Sequence, residues 1–202
     1  MKIISYRLNN ATSYGVLVNN ELYSLPENQS GLPATMNAFL ALEESGMEMA
    51  RQTAQQIEAG ALVANPVSNY EILAPVPHPT SCRDGYAFRQ HVEAARKNRG
   101  VEMIPEFDQY PIFYFTNHQA VEGPGPVYCM PDHFEQLDFE LEIAIVIGKK
   151  GRNIKASEAD AYIAGFTIMN DMSARKLQME EMLLNLGPAK GKDFSTVIGP
   201  WL

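Results

Sequence analysis

The sequence predicts an α+β protein: a small N-terminal α+β unit, followed by a mixed β-sheet or β-roll core with short helices. Short apolar runs that end at glycine, proline or asparagine predict strands. Fewer segments carry apolar residues at helical spacing. A proline-rich run at residues 74–79 has the composition of a stiff linker. We therefore expect an N-terminal domain over residues 1–75 and a second domain over residues 76–202.

The N-terminal domain is predicted to be a small sheet with two helices. Residues 2–8 and the runs on either side of Asn19-Asn20 are expected strands, because asparagine tolerates the positive φ of a two-residue hairpin turn. Helices are expected over residues 36–44 and 47–57, with Ser45-Gly46 as the break between them. No residues here stand at catalytic spacing, so we interpret this domain as structural.

The second domain contains the remaining predicted elements. We expect helices over residues 88–98, over 157–162 with Ser157 as the cap, and from Ser173 onward, and strands over residues 111–116, 137–147 and 165–170. His91 lies on the predicted inner face of the first of these helices. The final run, residues 197–202, is apolar, which is typical of a docked or interrupted strand.

The composition is that of an ordinary globular protein, with 202 residues, 46% hydrophobic and 20% charged. The net charge of −8 argues against nucleic acid or an anionic membrane as a partner. No apolar run approaches the roughly 20 residues that span a bilayer, and the first residues become polar too early for a signal peptide. Two cysteines cannot form a disulfide framework. We expect a cytoplasmic protein with reduced thiols.

The most informative segment is the predicted strand over residues 137–147. Side chains two apart on a strand point to the same face, so Glu140 and Glu142 project together, about 7 Å apart. Burying two neighbouring carboxylates is costly unless a cation compensates. A hard divalent ion suits such oxygen ligands. The alternative interpretation is a strand end with one solvated face.

Two further acidic residues extend this pattern. Asp84 precedes the helix predicted over residues 88–98, and Asp171 stands where a predicted strand passes into a helix. With Glu140 and Glu142 they bring carboxylates from three segments, which is the oxygen-only set that Mg²⁺, Ca²⁺ or Mn²⁺ requires. No Cys or His residues stand in pairs at ligand spacing, which argues against structural zinc.

The chain resembles the fumarylacetoacetate hydrolase family over about residues 80–202. The motifs that carry the resemblance are RDGYAFRQH at 83–91, FYF at 113–115 ahead of GPG at 123–125, LDFELE at 137–142, AGFTIMNDMSAR at 164–175 and GPAKGKDF at 187–194. Each motif alone is weakly specific, but their order and spacing together are strongly specific.

The resemblance implies a divalent-metal-dependent hydrolase that cleaves a carbon–carbon bond in a β-diketone or acylpyruvate-type substrate through a metal-stabilised enolate. The implied metal ligands are Asp84, Glu140, Glu142 and Asp171, with Mg²⁺, Ca²⁺ or Mn²⁺ as the ion. The implied catalytic residues are His91, as general base, and Lys192, as donor to the oxyanion. The implied substrate contacts are Tyr86, Arg175 and Gln178. Lys192, Arg175 and one divalent ion together balance the four carboxylates.

Other functions stay open. The same enolate chemistry serves decarboxylation, isomerisation and hydration of 2-oxo acids, although Ala94 stands where the decarboxylase branch carries a glutamate. Family members are expected to continue past residue 202 with a strand that closes the sheet, so a further hypothesis is a truncated or non-catalytic homologue that retains the metal site for structure or partner binding. We expect a small anionic oxo-acid substrate, no nucleic acid or membrane partner, and a homodimer, since an open sheet edge favours association.

Overall fold

A computed structural model describes all 202 residues and confirms the α+β class. The strands form two four-stranded sheets and one two-stranded sheet, and short helices lie between them. None of these helices has the length and hydropathy that a membrane-spanning segment requires.

The N-terminal sheet combines four antiparallel strands in the order β3-β2-β1-β4. Its strands are β1 (Ile3–Leu8), β2 (Ala11–Val18), β3 (Glu21–Ser24) and β4 (Glu71–Ile72). Asn19 and Asn20, between β2 and β3, have φ values of 51° and 66°, which confirms the predicted hairpin turn. Three helices pack on this sheet around a common apolar core: α1 (Leu25–Asn28), α2 (Met36–Leu40) and α3 (Glu43–Glu58).

The predicted helix break at Ser45-Gly46 is wrong. Helix α3 runs through both residues, and the break lies at residues 41–42. Gly46 is buried where α3 meets α2. A Cβ on Gly46 would lie 2.9 Å from Cβ of Leu42 and 3.1 Å from the carbonyl oxygen of Phe39. This glycine therefore allows two helices to approach closely and does not end one of them.

The second half of the chain contains the other two sheets. Its elements in chain order are β5 (Cys82–Gly85), α4 (Arg89–Asn98), β6 (Phe113–Thr116), β7 (Val121–Glu122), β8 (Leu137–Ile147), β9 (Ile163–Ala174), α5 (Arg175–Met182), α6 (Ala189–Lys192) and β10 (Thr196–Gly199). Strands β5 and β6 form an antiparallel pair, and the larger sheet has the order β7-β10-β9-β8. Short 3-10 helices at Pro105–Asp108, His118–Ala120, Pro131–Phe134 and Ala156–Tyr162 connect these elements.

Two predicted helix starts differ from the structure. Ser173 does not open a helix, because β9 continues to Ala174 and holds Ser173 buried opposite Asp138 of β8. The helix expected from Ser157 is a 3-10 helix that begins at Ala156 and has no side-chain cap. In both cases a serine was assigned a capping role that the structure does not give it.

Strands β8 and β9 form a long antiparallel ladder with two contrasting faces. One face carries Glu140 and Glu142, with Asp171 directly opposite Glu140, so the side chains share that face as alternation predicts. The other face is apolar, and seven of its large side chains are between 52% and 71% exposed, namely Phe139, Leu141, Ile143, Ile145, Ile147, Phe166 and Ile168. The outer edge of β8 has no neighbouring strand.

The two halves of the chain share a core. Leu202 exchanges two backbone hydrogen bonds of 2.9 Å with Ile3 and is buried in the apolar core of the N-terminal sheet, as expected for a docked final segment. Val146 and Ala164 also pack against that core. The linker predicted at residues 74–79 begins buried, since Ser5 donates a hydrogen bond to the carbonyl oxygen of Pro75. The domain boundary at residue 75 stays a prediction.

Replacing Gly46 with alanine should lower the free energy of unfolding by about 1–3 kcal/mol, the usual cost of overpacking. Alanine is intrinsically the better helix former by about 1 kcal/mol, but Leu42 and Phe39 leave no space for the methyl group. Chemical denaturation measures the difference. Gln56→Ala, exposed on the same helix, is the control and should change stability by less than about 0.5 kcal/mol. Equal stability of Gly46→Ala and wild type would contradict this packing argument.

Candidate metal centre

Three carboxylates from three strands meet at one point. Asp84 lies on β5, Glu142 on β8 and Asp171 on β9, and each offers an oxygen within 4.8 Å of the others. The antiparallel pairing of β8 with β9 places Asp171 beside the two glutamates, and the β5–β6 pair brings Asp84 to them from a separate sheet. The structure thus gathers three of the four ligands predicted from the sequence.

Asp171 is the most buried of these carboxylates, at 1% exposure. Its Oδ2 atom accepts a hydrogen bond from Nζ of Lys192 at 2.6 Å. Its Oδ1 atom is buried and has no hydrogen-bond partner. A buried acceptor without a partner is costly, and a cation at the cluster would satisfy it. The residues present therefore fit a divalent ion that prefers oxygen ligands.

The electrostatics of the cluster favour the same conclusion. Burial, together with the nearby charges of Asp84 and Asp171, raises the pKa of Glu142 to about 8. Burial also raises the pKa of Asp171 to about 6, although Lys192 acts in the opposite direction. Carboxyls that share a shielded site without enough positive charge retain protons in this way. A bound cation would replace those protons.

Glu140 has a different environment from Glu142. Its Oε1 atom accepts a hydrogen bond from Nη1 of Arg175 at 2.5 Å and lies 3.1 Å from Nζ of Lys192. Burial acts to raise the pKa of Glu140, but Arg175 and Lys192 hold it below its ordinary value. Glu140 would have to exchange Arg175 for an ion to become a ligand, so its ligand role stays a prediction.

Lys192 lies at the end of α6 and is 3% exposed. Its ammonium group donates to Oδ2 of Asp171 at 2.6 Å and to Oγ of Ser173 at 2.7 Å, and Glu140 lies 3.1 Å away. An ammonium has three donors, so all of them face acceptors of the protein. Lys192 therefore neutralises carboxylates in this structure, and donation to a substrate oxygen requires the release of one of these contacts.

Tyr114 is a member of the cluster that sequence reasoning missed. It lies opposite Asp84 in the β5–β6 pair, and its hydroxyl is 3.1 Å from Oδ2 of Asp84 and 3.5 Å from Oδ2 of Asp171. Burial and the nearby carboxylates raise the pKa of Tyr114 above its ordinary value. Strand alternation in the FYF motif was the available signal, because it places Tyr114 on the face opposite Phe113 and Phe115.

Arg175 and Gln178, both predicted to contact substrate, lie on α5 beside the carboxylates. Arg175 donates from Nε to Asp138 at 3.0 Å as well as from Nη1 to Glu140. Gln178 Oε1 lies 3.4 Å from Nη1 of Arg175. Gly191 lets α6 approach α5, since a Cβ there would lie 2.6 Å from Cβ of Gln178. Asp138 had no predicted role.

The structure does not bring His91 and Tyr86 to the carboxylates by any side-chain hydrogen bond. The helix that carries His91 forms as predicted, but of its predicted inner face only Val92 is buried, while His91 and Phe88 are exposed. Tyr86 is 51% exposed. The roles of His91 as base and of Tyr86 as a substrate contact stay predictions.

Comparison with known proteins adds sequence relatives. The model of the fumarylacetoacetate (FAA) hydrolase C-terminal domain matches residues 80–202. The chain is 34% identical over 178 residues to the mitochondrial oxaloacetate tautomerase Fahd2a of Rattus norvegicus, and 35% identical over 179 residues to the mitochondrial oxaloacetate tautomerase FAHD2A of Homo sapiens. Each alignment covers 85% of this chain and 51% of the relative. The chain thus spans about half the length of the curated relatives it matches.

Solved structures share the fold. A fumarylacetoacetate hydrolase from Exiguobacterium antarcticum superimposes with a TM-score of 0.68 at 23% identity, over all of this chain and 65% of that one. A maleylpyruvate hydrolase from Sphingobium sp. SYK-6, solved in complex with manganese(II) and pyruvate, gives a TM-score of 0.65 at 19% identity, over all of this chain and 66% of that one. At these identities the comparison shows a common fold.

The affinity for Mn²⁺ should rise as the pH rises from about 6 to about 8. At the lower pH an ion must displace protons, because the pKa values of Asp171 and Glu142 are raised to about 6 and about 8. Electron paramagnetic resonance of free Mn²⁺ during a titration measures the affinity at each pH. In Glu142→Gln the affinity for Mn²⁺ should no longer rise as the pH approaches about 8. An affinity that does not change across the range would contradict the proposed competition.

The metal-free protein should show the opposite trend in stability. A carboxyl with a raised pKa stabilises the folded state below its ordinary value, 4.5 for Glu142 and 3.8 for Asp171, and that contribution is lost as the pH rises through about 8 and about 6. Calorimetry with a chelator present should therefore show Tm falling between pH 5 and 8.5, and excess Mn²⁺ should restore it.

Proposed function

The chain belongs to the fumarylacetoacetate hydrolase family, and we propose that it is an enzyme that interconverts the keto and enol forms of a small 2-oxo dicarboxylic acid such as oxaloacetate. The observation that carries the proposal is the cluster of Asp84, Glu142 and Asp171 within 4.8 Å, with the buried ammonium of Lys192 at 2.6 Å from Asp171. The names of the two mammalian relatives, both oxaloacetate tautomerases, support the choice of reaction.

Keto–enol interconversion moves one proton. The C3–H bond breaks, its electron pair forms the C2=C3 double bond, and the C2 oxygen takes up a proton after negative charge has developed on it. A divalent ion such as Mg²⁺, Mn²⁺ or Ca²⁺, held by Asp84, Glu142 and Asp171 and in the predicted set also by Glu140, would supply Lewis-acid stabilisation of that charge. Lys192 adds a preorganised positive charge beside the same oxygen once it releases a carboxylate contact.

The remaining predicted residues have proposed roles in holding the substrate and moving the proton. Arg175 and Lys192 both contact Oε1 of Glu140, and Gln178 lies beside Arg175, so Arg175 and Gln178 suit the carboxylate groups of a dicarboxylic acid. Tyr86 would complete this contact. His91 would take the proton from C3; it lies on α4, which begins at Arg89, four residues after the end of β5 at Gly85, and it is exposed for exchange with solvent.

A direct assay tests this proposal. Wild type with Mn²⁺ should accelerate the conversion of enol-oxaloacetate to the keto form. The loss of enol absorbance measures this rate. Glu142→Gln should lower kcat/KM by more than about 100-fold, beyond the usual loss for a residue that only supports a ligand. Glu158→Gln, an exposed matched change, should leave the rate unaltered. If wild type binds Mn²⁺ without turnover, the non-catalytic homologue that retains the metal site would be the better description.

Hydrolysis of a carbon–carbon bond in an acylpyruvate is the second candidate. His91 is exposed and its side chain makes no hydrogen bond in the protein, so it is free to activate a water molecule for attack on a carbonyl. Lys192 would then donate to the oxyanion, and the leaving group would depart as an enolate. Decarboxylation and hydration need the same enolate and are distinguished by their products.

A product analysis separates these candidates. We expect acylpyruvates and oxaloacetate incubated in D₂O to exchange the C3 proton for deuterium, without cleavage, as followed by proton NMR. His91→Asn should slow the exchange. The release of two carboxylic acids by wild type, lost in His91→Asn, would instead identify a hydrolase. The release of carbon dioxide would identify a decarboxylase.

We also propose that the chain forms a homodimer. The support is the exposed apolar face of β8 and β9 together with the open edge of β8, since both features favour association. A small anionic oxo acid fits the cationic groups of the site, and the net charge of −8 argues against nucleic acid. A cytoplasmic location stays a prediction, because the names of the mammalian relatives place those proteins in mitochondria.

A further inference from the structure

We propose that Tyr114 is a positioning residue of the metal centre, whose hydroxyl fixes the carboxylate of Asp84 so that ligands from two separate sheets can bind one ion. This inference rests on the proposed metal-dependent function. Tyr114 acts through Asp84 and is not assigned a contact with substrate.

The first argument is the topology of the site. Glu142 and Asp171 lie on β8 and β9, which are paired with each other, so the register of one ladder fixes their separation. Asp84 lies on β5, in a different sheet. The hydroxyl of Tyr114 lies where the β5–β6 pair meets the β8–β9 pair, 3.1 Å from Oδ2 of Asp84 and 3.5 Å from Oδ2 of Asp171. Tyr114 is therefore placed to orient Asp84 at the point where the ligands of the two sheets meet.

The second argument is the chemistry of the hydroxyl. A phenol has one proton to donate, and the contact of 3.1 Å to Oδ2 of Asp84 is better than the contact of 3.5 Å to Asp171. Donation to Oδ2 of Asp84 orients that carboxylate and leaves its other oxygen free for a cation. Groups that orient a ligand in this way are typically worth 10–100-fold in metal affinity.

The third argument is the location of Tyr114 on its strand. Asp84 and Tyr114 are direct cross-strand partners, so their side chains share one face of the pair. The neighbours of Tyr114 on β6, Phe113 and Phe115, point away and are exposed by 53% and 66%. A phenylalanine at position 114 would fill the same space, so only the hydroxyl distinguishes positioning from packing.

The experiment compares Mn²⁺ binding by wild type and Tyr114→Phe in the 202-residue chain, again by electron paramagnetic resonance. We expect Tyr114→Phe to raise the Kd for Mn²⁺ by about 10–100-fold, with an unchanged circular dichroism spectrum. Tyr110→Phe removes a hydroxyl that is exposed near the same strand and should not change the Kd. In an Asp84→Asn background, Tyr114→Phe should add no further loss, because the residue acts through that carboxylate.

The outcomes separate this inference from its premise. An unchanged Kd in Tyr114→Phe would overturn the inference, and so would an unchanged Kd with a raised KM for oxaloacetate, which would make Tyr114 a substrate contact. Additive losses in the Asp84→Asn background would also overturn it. If Tyr114→Phe weakens Mn²⁺ binding while wild type shows no turnover, the positioning role stands and the proposed tautomerase fails. A wild type without Mn²⁺ affinity would overturn both.

Discussion

Four carboxylates held in a small and partly buried volume repel one another, and the rest of the site is arranged around that repulsion. Asp171 remains buried beside the ammonium of Lys192, and Glu140 is held by Arg175. Glu142 has no such partner, so its raised pKa lets it keep a proton. Three of the four acids are thus compensated by a cation or by a proton, Asp84 accepts a hydrogen bond from Tyr114, and one oxygen of Asp171 is left without any partner. That unpaired oxygen is an acceptor that the surrounding salt bridges leave unsatisfied, and a cation would satisfy it.

The sequence was sufficient wherever a local rule decides the outcome. The period of a strand places Glu140 and Glu142 on one face, and the Asn19-Asn20 turn requires positive φ, which asparagine tolerates. Local rules failed where a distant neighbour decides. Gly46 stands inside a helix, where Leu42 and Phe39 approach too closely for a larger residue. A glycine beside a serine gives no sign of that contact in the sequence.

In the candidate site, too, local patterns predicted some features and distant contacts decided the others. Alternation along β8 was enough to place both glutamates, but their different partners could not be read from it. Glu140 meets Arg175 because α5 follows β9 directly and Arg175 is its first residue, next to Ala174, which pairs with Leu137 of β8. The extension of β9 to Ala174 sets this geometry, and the sequence had predicted that strand to stop four residues earlier. Tyr114 was missed because its role depends on the pairing of β6 with β5, and pairing partners are not a property of either segment alone.

The two faces of the β8–β9 ladder connect the chemistry to the assembly. The acids point to one side, and exposed leucine, isoleucine and phenylalanine side chains point to the other, directly behind them. Water against that rear face lowers the strength of every charge interaction across the thin ladder. A second chain packed there would exclude this water and would also rigidify the strands that hold Glu142 and Asp171. Association and ion binding would then reinforce each other, because each one stabilises the same strand pair.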